Sequence, residues 1–200
     1  GNEAHDYDLS QRDLVNNATI LAGQNIQRTL HQAHSTHFKY SLDPMHYAIY
    51  DGLTIRNGFV YCNYGGNVLM RKGELRNSII ENGAAIEGLW NSLGEQCGAA
   101  GIYADTKEVS VINSVIRNNK VTNAIGGGYY GPITFRNCLI NNNGAVKDDR
   151  YGGVDAYAGA GTSAQDSKSP KTKHYNSTIV NNYAYDGVGG ISNYELVENS

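Results

Sequence analysis

Two tyrosines and an acid carry the most legible chemistry in this chain. Tyr103, Tyr130 and Asp155 each close a glycine-led phrase: Gly101-Ile102-Tyr103, Gly127-Gly128-Tyr129-Tyr130 and Gly152-Gly153-Val154-Asp155. Leu69 after Gly65-Gly66-Asn67-Val68, and Ser192 after Gly189-Gly190-Ile191, take the same place, with Tyr157 and Tyr194 two residues beyond their phrases. Read as equivalent strands, the phrases put Leu69, Tyr103, Tyr130, Asp155 and Ser192 in one outward row. Aromatic faces beside a carboxylate can hold a sugar, whose C–H face packs on the π surface while its hydroxyls bond the polar groups. Trp90, the only tryptophan, precedes this row in the chain and can reach it from a loop. The plainer reading is that tyrosine is a good strand former on a solvated surface.

A second chemistry needs acids and bases. Glycosidic hydrolysis takes two carboxylates flanking the scissile bond. Asp148, Asp149 and Asp155, with Arg150 and Lys107, supply the residue types but fall in no catalytic motif, so no catalytic residue is assigned. The Asp148-Asp149 pair could hold Ca²⁺, although adjacent acids at a loop tip are more often solvated; no cofactor or metal site is expected. His31, His34 and His37 would share one side of a helix and suggest a metal. With no carboxylate or Cys at ligand spacing, they read as polar loop histidines.

The elements that must position these residues come from a repeat. Thr134-Phe135-Arg136-Asn137-Cys138-Leu139-Ile140-Asn141-Asn142 reads as strand, corner, strand, corner. The phrase recurs at Leu75–Asn82, Val111–Asn118 and His174–Asn181, with a glycine variant at Asp51–Asn57 and a start at Leu196–Ser200. The two corners keep their spacing within a copy, while the copies are unevenly spaced. Fixed strands with variable corner loops suit a solenoid rather than a propeller. One row is then Ile55, Ile80, Ile116, Ile140 and Ile179, β-branched and fit for burial in a parallel coil. Another is Tyr50, Leu75, Val111, Phe135, His174 and Val197. Ser78, Ser114, Cys138 and Ser177 follow the first corner, small enough for a tight interior bend. Asn77, Asn113, Asn137, Asn176 and Asn199 occupy that corner and are expected to stack as an internal ladder, since Asn tolerates the left-handed conformation. The glycine-led phrase supplies a third strand per rung. A β-sandwich is the alternative, but it does not stack one residue type in register.

The expected fold is all-β: a right-handed, single-stranded parallel β-helix solenoid of about six rungs with Asn and Ile ladders. Residues 1–17 read as a polar N-terminal segment, and residues 18–200 as rungs of a single domain with loop insertions at 24–46, 83–99 and 158–173. The net charge of -3 gives no reason to expect nucleic acid, whose phosphates call for a basic face. No apolar run is long enough to span a bilayer as a helix. The absence of an initiator Met suggests that an upstream segment has been removed. Of three cysteines, Cys138 falls in an inward row, while Cys62 and Cys97 lie in loops, where a disulfide is open but not favoured.

Together, Gly1-Asn2-Glu3-Ala4, Asn17-Ala18-Thr19-Ile20-Leu21-Ala22-Gly23, Tyr50-Asp51-Gly52-Leu53-Thr54-Ile55-Arg56-Asn57-Gly58 and the repeated Asn-Ser/Cys-x-Ile-x-Asn phrases resemble a known group. It is the pectate-lyase-like superfamily of right-handed parallel β-helices on bacterial surfaces, in its polymorphic-outer-membrane-protein-like branch. The resemblance covers nearly the whole chain and is specific for fold. It lacks the N-terminal capping segment, and the last copy stops at Ser200, which together imply a piece of a longer solenoid. The resemblance implies an extracellular or outer-membrane location and a non-catalytic adhesin or polysaccharide-binding module, with a polysaccharide or host or cell-surface glycan as partner. The alternative it leaves open is a lyase or glycoside hydrolase acting on an acidic polysaccharide, with Lys or Arg as base. The expected ligand surface is Tyr103, Tyr130, Asp155, Tyr157 and Trp90, between the 83–99 and 158–173 loops.

Overall fold

The computed structural model describes residues 18–32, 46–61, 63–86, 98–104, 106–148, 159, 161–162, 171–192 and 194–200. All regular elements among them are strands, and they form four sheets. The first sheet stacks Ala48–Asp51, Gly73–Arg76, Val109–Ile112, Ile133–Arg136, Thr172–Tyr175 and Tyr194–Glu198. The second stacks Thr19–Ala22, Leu53–Arg56, Ile79–Glu81, Val115–Arg117, Leu139–Asn141 and Thr178–Val180. The third stacks Phe59–Tyr61, Ala84–Ile86, Lys120–Thr122, Gly144–Val146 and Tyr183–Ala184. The fourth stacks Leu30–His31, Val68–Met70, Ile102–Ala104, Tyr129–Tyr130, Gly161–Thr162 and Ile191–Ser192. From Ala48 onward the chain visits first, second, third and fourth sheet in turn, then returns to the first, one strand further along. Neighbouring strands are parallel throughout, an arrangement compatible with a parallel β-helix.

The sequence reading differs here in one respect: each circuit has four strands, not three. The unanticipated third sheet follows directly on the second corner. Its inward residues are Val60, Ala85, Val121 and Ala145, all buried, and they form a small core of their own with Ala100 and Ala124. Three-residue strands built on alanine give too little alternation to be read in advance. Likewise, the segments expected as loops at 24–46, 83–99 and 158–173 each supply a short strand: Leu30–His31, Ala84–Ile86 and Gly161–Thr162. Residues 1–17, and with them the N-terminal segment, lie outside the described residues, as do Cys62 and Cys97.

The corners are where local chemistry sets the path. Asn57, Asn82, Asn118, Asn142 and Asn181 have φ of 57°, 53°, 55°, 55° and 55°, and Asn77, Asn113, Asn137, Asn176 and Asn199 have φ of 50°, 48°, 53°, 47° and 51°. A left-handed residue turns the chain sharply, and Asn is the side chain that best tolerates it. Between two such corners only three strand residues fit, and the middle one points inward. Ile55, Ile80, Ile116 and Ile140 are therefore fully buried in one column, with Ile179 packed on its end. Removing each such side chain from water is worth about 1.5–3 kcal/mol. Leu75, Val111, Phe135 and His174 form the facing column, with Tyr50 at one end and the half-exposed Val197 at the other.

Two asparagine ladders run along the stack. The corner ladder lies outside, not inside as expected: Asn113, Asn137 and Asn176 are exposed. Its amides still join end to end: Asn176 Nδ2 donates to Asn137 Oδ1 (2.8 Å), Asn137 to Asn113 (3.1 Å), Asn113 to Asn77 (3.4 Å) and Asn77 to Asp51 Oδ1 (2.8 Å). The αL corner points its side chain away from the core, which explains the reversal. The inner ladder is made by the residues just after the second corner: the buried Asn119 and Asn143, with the half-buried Asn182 at its end. Each accepts a backbone N–H from the previous circuit and donates to the carbonyl of the previous isoleucine, as in Asn143 Nδ2 to Ile116 O at 3.0 Å. In the early circuits that position is Gly58 and Gly83. Asn67, from the next corner, reaches in to fill the gap: its Oδ1 accepts from Gly58 N (2.8 Å) and its Nδ2 donates to Asn119 Oδ1 (3.0 Å).

Candidate binding surface on the fourth sheet

The outward row of the fourth sheet is His31, Leu69, Tyr103, Tyr130 and Ser192, with the backbone of Thr162 in register between the last two. Tyr103 and Tyr130 lie side by side where the glycine-led phrases put them. In the following circuit Gly161 pairs with Tyr129, and a Cβ there would sit 2.4 Å from the Tyr129 ring, so the position calls for glycine. Asp155, Tyr157 and Trp90 lie outside the described residues. Leu69, expected on the surface, is buried.

The tyrosines form a column of three. Tyr64, which sequence reasoning missed, comes from the corner before Val68–Met70, and its ring lies 4.2 Å from that of Tyr103 at 30°. Tyr103 in turn lies 5.6 Å from Tyr130 at 8°. Each ring comes from a successive circuit. The space they fill is left by glycine: Gly98, in register between Tyr64 and Ile125, has the Tyr130 ring 3.6 Å from where its Cβ would be, and Gly65 places Tyr103 similarly at 3.1 Å. Tyrosine laid over a glycine corner replaces packing that the glycine cannot supply. Tyr64-Gly65-Gly66 was the available signal, an aromatic residue directly before a glycine corner.

This geometry bears on how a sugar would meet the column. Both faces of Tyr103 are covered by neighbouring rings, so no sugar can lie flat on it. What Tyr103 offers is its edge. All three rings are half-buried, and burial raises the Tyr130 phenol above its usual pKa.

Arg28 fixes one end of the column. Its Nε donates to the carbonyls of Tyr64 (3.0 Å) and Gly65 (2.9 Å), and its Nη2 to Tyr64 O (2.5 Å) and Asn63 Oδ1 (3.3 Å). Burial pulls the Arg28 guanidinium down to about 10, which leaves it charged at neutral pH. The exposed His31 is held below the usual histidine value by partial burial and by the charges of Arg28 and Arg71. His34 and His37 are outside the described residues.

Of the acids and bases weighed for catalysis, Asp148 and Lys107 are among the described residues and stand on different sides of the circuit. Asp148, at the end of the third sheet, is tied by its backbone to the Asn123 amide at 2.8 Å in both directions, while the exposed Lys107 lies on the turn between fourth and first sheets. Asp149 and Arg150 lie outside the described residues. Glu81 and Asp51 are engaged by Arg117 (2.7 Å) and Arg76 (3.1 Å). Among the described residues no group of His, Cys, Asp and Glu is placed to hold a metal ion, and no helix is long and apolar enough to cross a membrane.

Besides the buried asparagines, the interior holds a polar cluster around His174. His174 Nε2 lies 2.9 Å from the Tyr129 hydroxyl, which also has the Thr172 hydroxyl beside it. The His174 ring stacks on Phe135 at 4.9 Å and 8°. Its Nδ1 is buried without a partner. An orphaned acceptor is tolerated better than an orphaned N–H, so we assign the proton to Nε2. Burial lowers the His174 pKa to about 4 and raises the Cys138 thiol to about 11, so both are neutral at pH 7. No known protein family, curated protein or solved structure matches the chain.

Proposed function

We propose that the chain is a module of a right-handed parallel β-helix of the pectate-lyase-like kind, in the polymorphic-outer-membrane-protein-like branch. It is exported to the extracellular or outer-membrane surface and binds polysaccharide without chemistry. The observation that carries the reading is the column of Tyr64, Tyr103 and Tyr130 on one sheet face. Partly exposed aromatic residues held in a rigid row are pre-organised for a ligand and lose little entropy on binding. Tyrosine contributes an apolar ring and a hydroxyl that can bond a sugar. Among the described residues the column carries aromatic rings and no carboxylate, which favours binding over catalysis.

A glycan array probed with the labelled chain tests the reading. Retention of a polysaccharide, weakened by about 1–3 kcal/mol in Tyr130→Ala with the fold intact, is the expected result. Retention of no glycan, or binding indifferent to Tyr130, sinks it.

A further inference from the structure

Resting on that reading, we propose that the column takes a neutral, ribbon-like β-(1→4)-linked glycan lying along the strand stack, one sugar per circuit. The three rings come from three successive circuits, and their spacings of 4.2 and 5.6 Å fall either side of the strand spacing, which is about 4.8 Å. Because the rings cover one another's faces, a ligand meets a row of edges repeating at that spacing. A polymer uses all the edges at once only if its own repeat keeps step. A flat β-(1→4) ribbon advances by about one strand spacing per sugar and stays straight. An α-(1→4)-glucan coils and leaves the row within a few sugars.

Charge selects between neutral and acidic polymers. A polyuronate carries one carboxylate per sugar and calls for a cation at each step. The described row offers cations at one end, where Arg28 and Arg71 flank His31. Beyond it among the described side chains come Leu69, Tyr103, Tyr130 and Ser192, all uncharged. The column therefore favours repeating hydroxyls over repeating carboxylates.

Titration calorimetry with cellohexaose, maltohexaose and hexagalacturonate tests this. Cellohexaose should bind at least about tenfold tighter than either of the others. Affinity should climb from cellobiose to cellotriose, one sugar for each of the three rings, and level off beyond it. Tyr103→Phe, which keeps the packing, should weaken cellohexaose, while Tyr185→Ala, on the third-sheet side, should not; circular dichroism checks that both variants are folded. Equal binding of maltohexaose or hexagalacturonate, lost in the same variant, overturns the register and charge argument and leaves glycan binding standing. Affinity independent of length overturns it too. No binding of any of the three, with no retention on the array, removes both the inference and the reading beneath it.

Discussion

Acid should destabilise this protein through one side chain, His174. Its ring is fully buried between Phe135 and the last strand of the first sheet, with the Tyr129 and Thr172 hydroxyls as its polar neighbours. The folded pKa is about 4, against 6.5 for the free side chain. Above pH 6.5 the group is neutral in both states and costs nothing. As pH falls below that value the unfolded chain takes up a proton that the folded chain refuses, so the unfolded state gains. Each unit of difference is worth about 1.4 kcal/mol. The loss should be about 2 kcal/mol by pH 5 and about 3 kcal/mol by pH 4, where the folded form begins to titrate. Carboxylates also titrate in this range, so the measurement is a comparison. Urea midpoints of wild type and His174→Phe should be followed from pH 7 to pH 4.5. Phenylalanine continues the aromatic stack over Phe135 and has no proton to take up. The variant should lose stability with acid more gently than wild type, by about 2 kcal/mol at pH 5. Parallel curves for the two proteins would show that His174 is hydrated or charged in the fold, and the reasoning would fail.

Two further contrasts test the architecture. Ile116→Ala should cost about 2–5 kcal/mol in urea unfolding, whereas Ile112→Ala, on the outer face and half-buried, should cost about 1 kcal/mol or less; equal costs would mean the register is wrong. Asn119→Ala should cost about 3 kcal/mol or more, because it strands the buried Gly83 N–H and Ile80 carbonyl. Asn113→Ala in the exposed ladder should cost under about 1 kcal/mol, and the reverse order would exchange the two ladders.

The core was legible because burial repeats. Ile55, Ile80, Ile116 and Ile140 recur at a constant distance before a left-handed corner, and a period of two on either side fixes which way they point. His174 was legible for the same reason: it interrupts an apolar row, so its burial and neutrality follow from position. The corner asparagines were legible as corners but not as surface, because residue type alone does not tell which way an αL side chain is thrown. The buried ladder was missed because its members change place: Asn119 and Asn143 follow one corner, while Asn67 arrives from another to fill the space at Gly58 and Gly83. At the candidate surface, Tyr103 and Tyr130 could be aligned by their glycines. Asp155, aligned in the same way, lies outside the described residues; in its circuit the glycine that meets Tyr129 on the neighbouring strand is Gly161, a contact that only the three-dimensional structure shows.

The inner ladder also governs how the protein ages. Asn57-Gly58 and Asn82-Gly83 are the sequence type most prone to deamidation, in which the glycine nitrogen attacks the preceding side-chain amide and closes a succinimide ring, releasing ammonia. Here that nitrogen is held: Gly58 N–H donates to Asn67 Oδ1 at 2.8 Å and Gly83 N–H to Asn119 Oδ1 at 2.9 Å, both buried. Cyclisation must first break a buried hydrogen bond and swing the corner out of its left-handed conformation. The damage rate at these two asparagines is therefore tied to how often the early circuits come apart, and the accumulated aspartate and isoaspartate record that history in a stored sample.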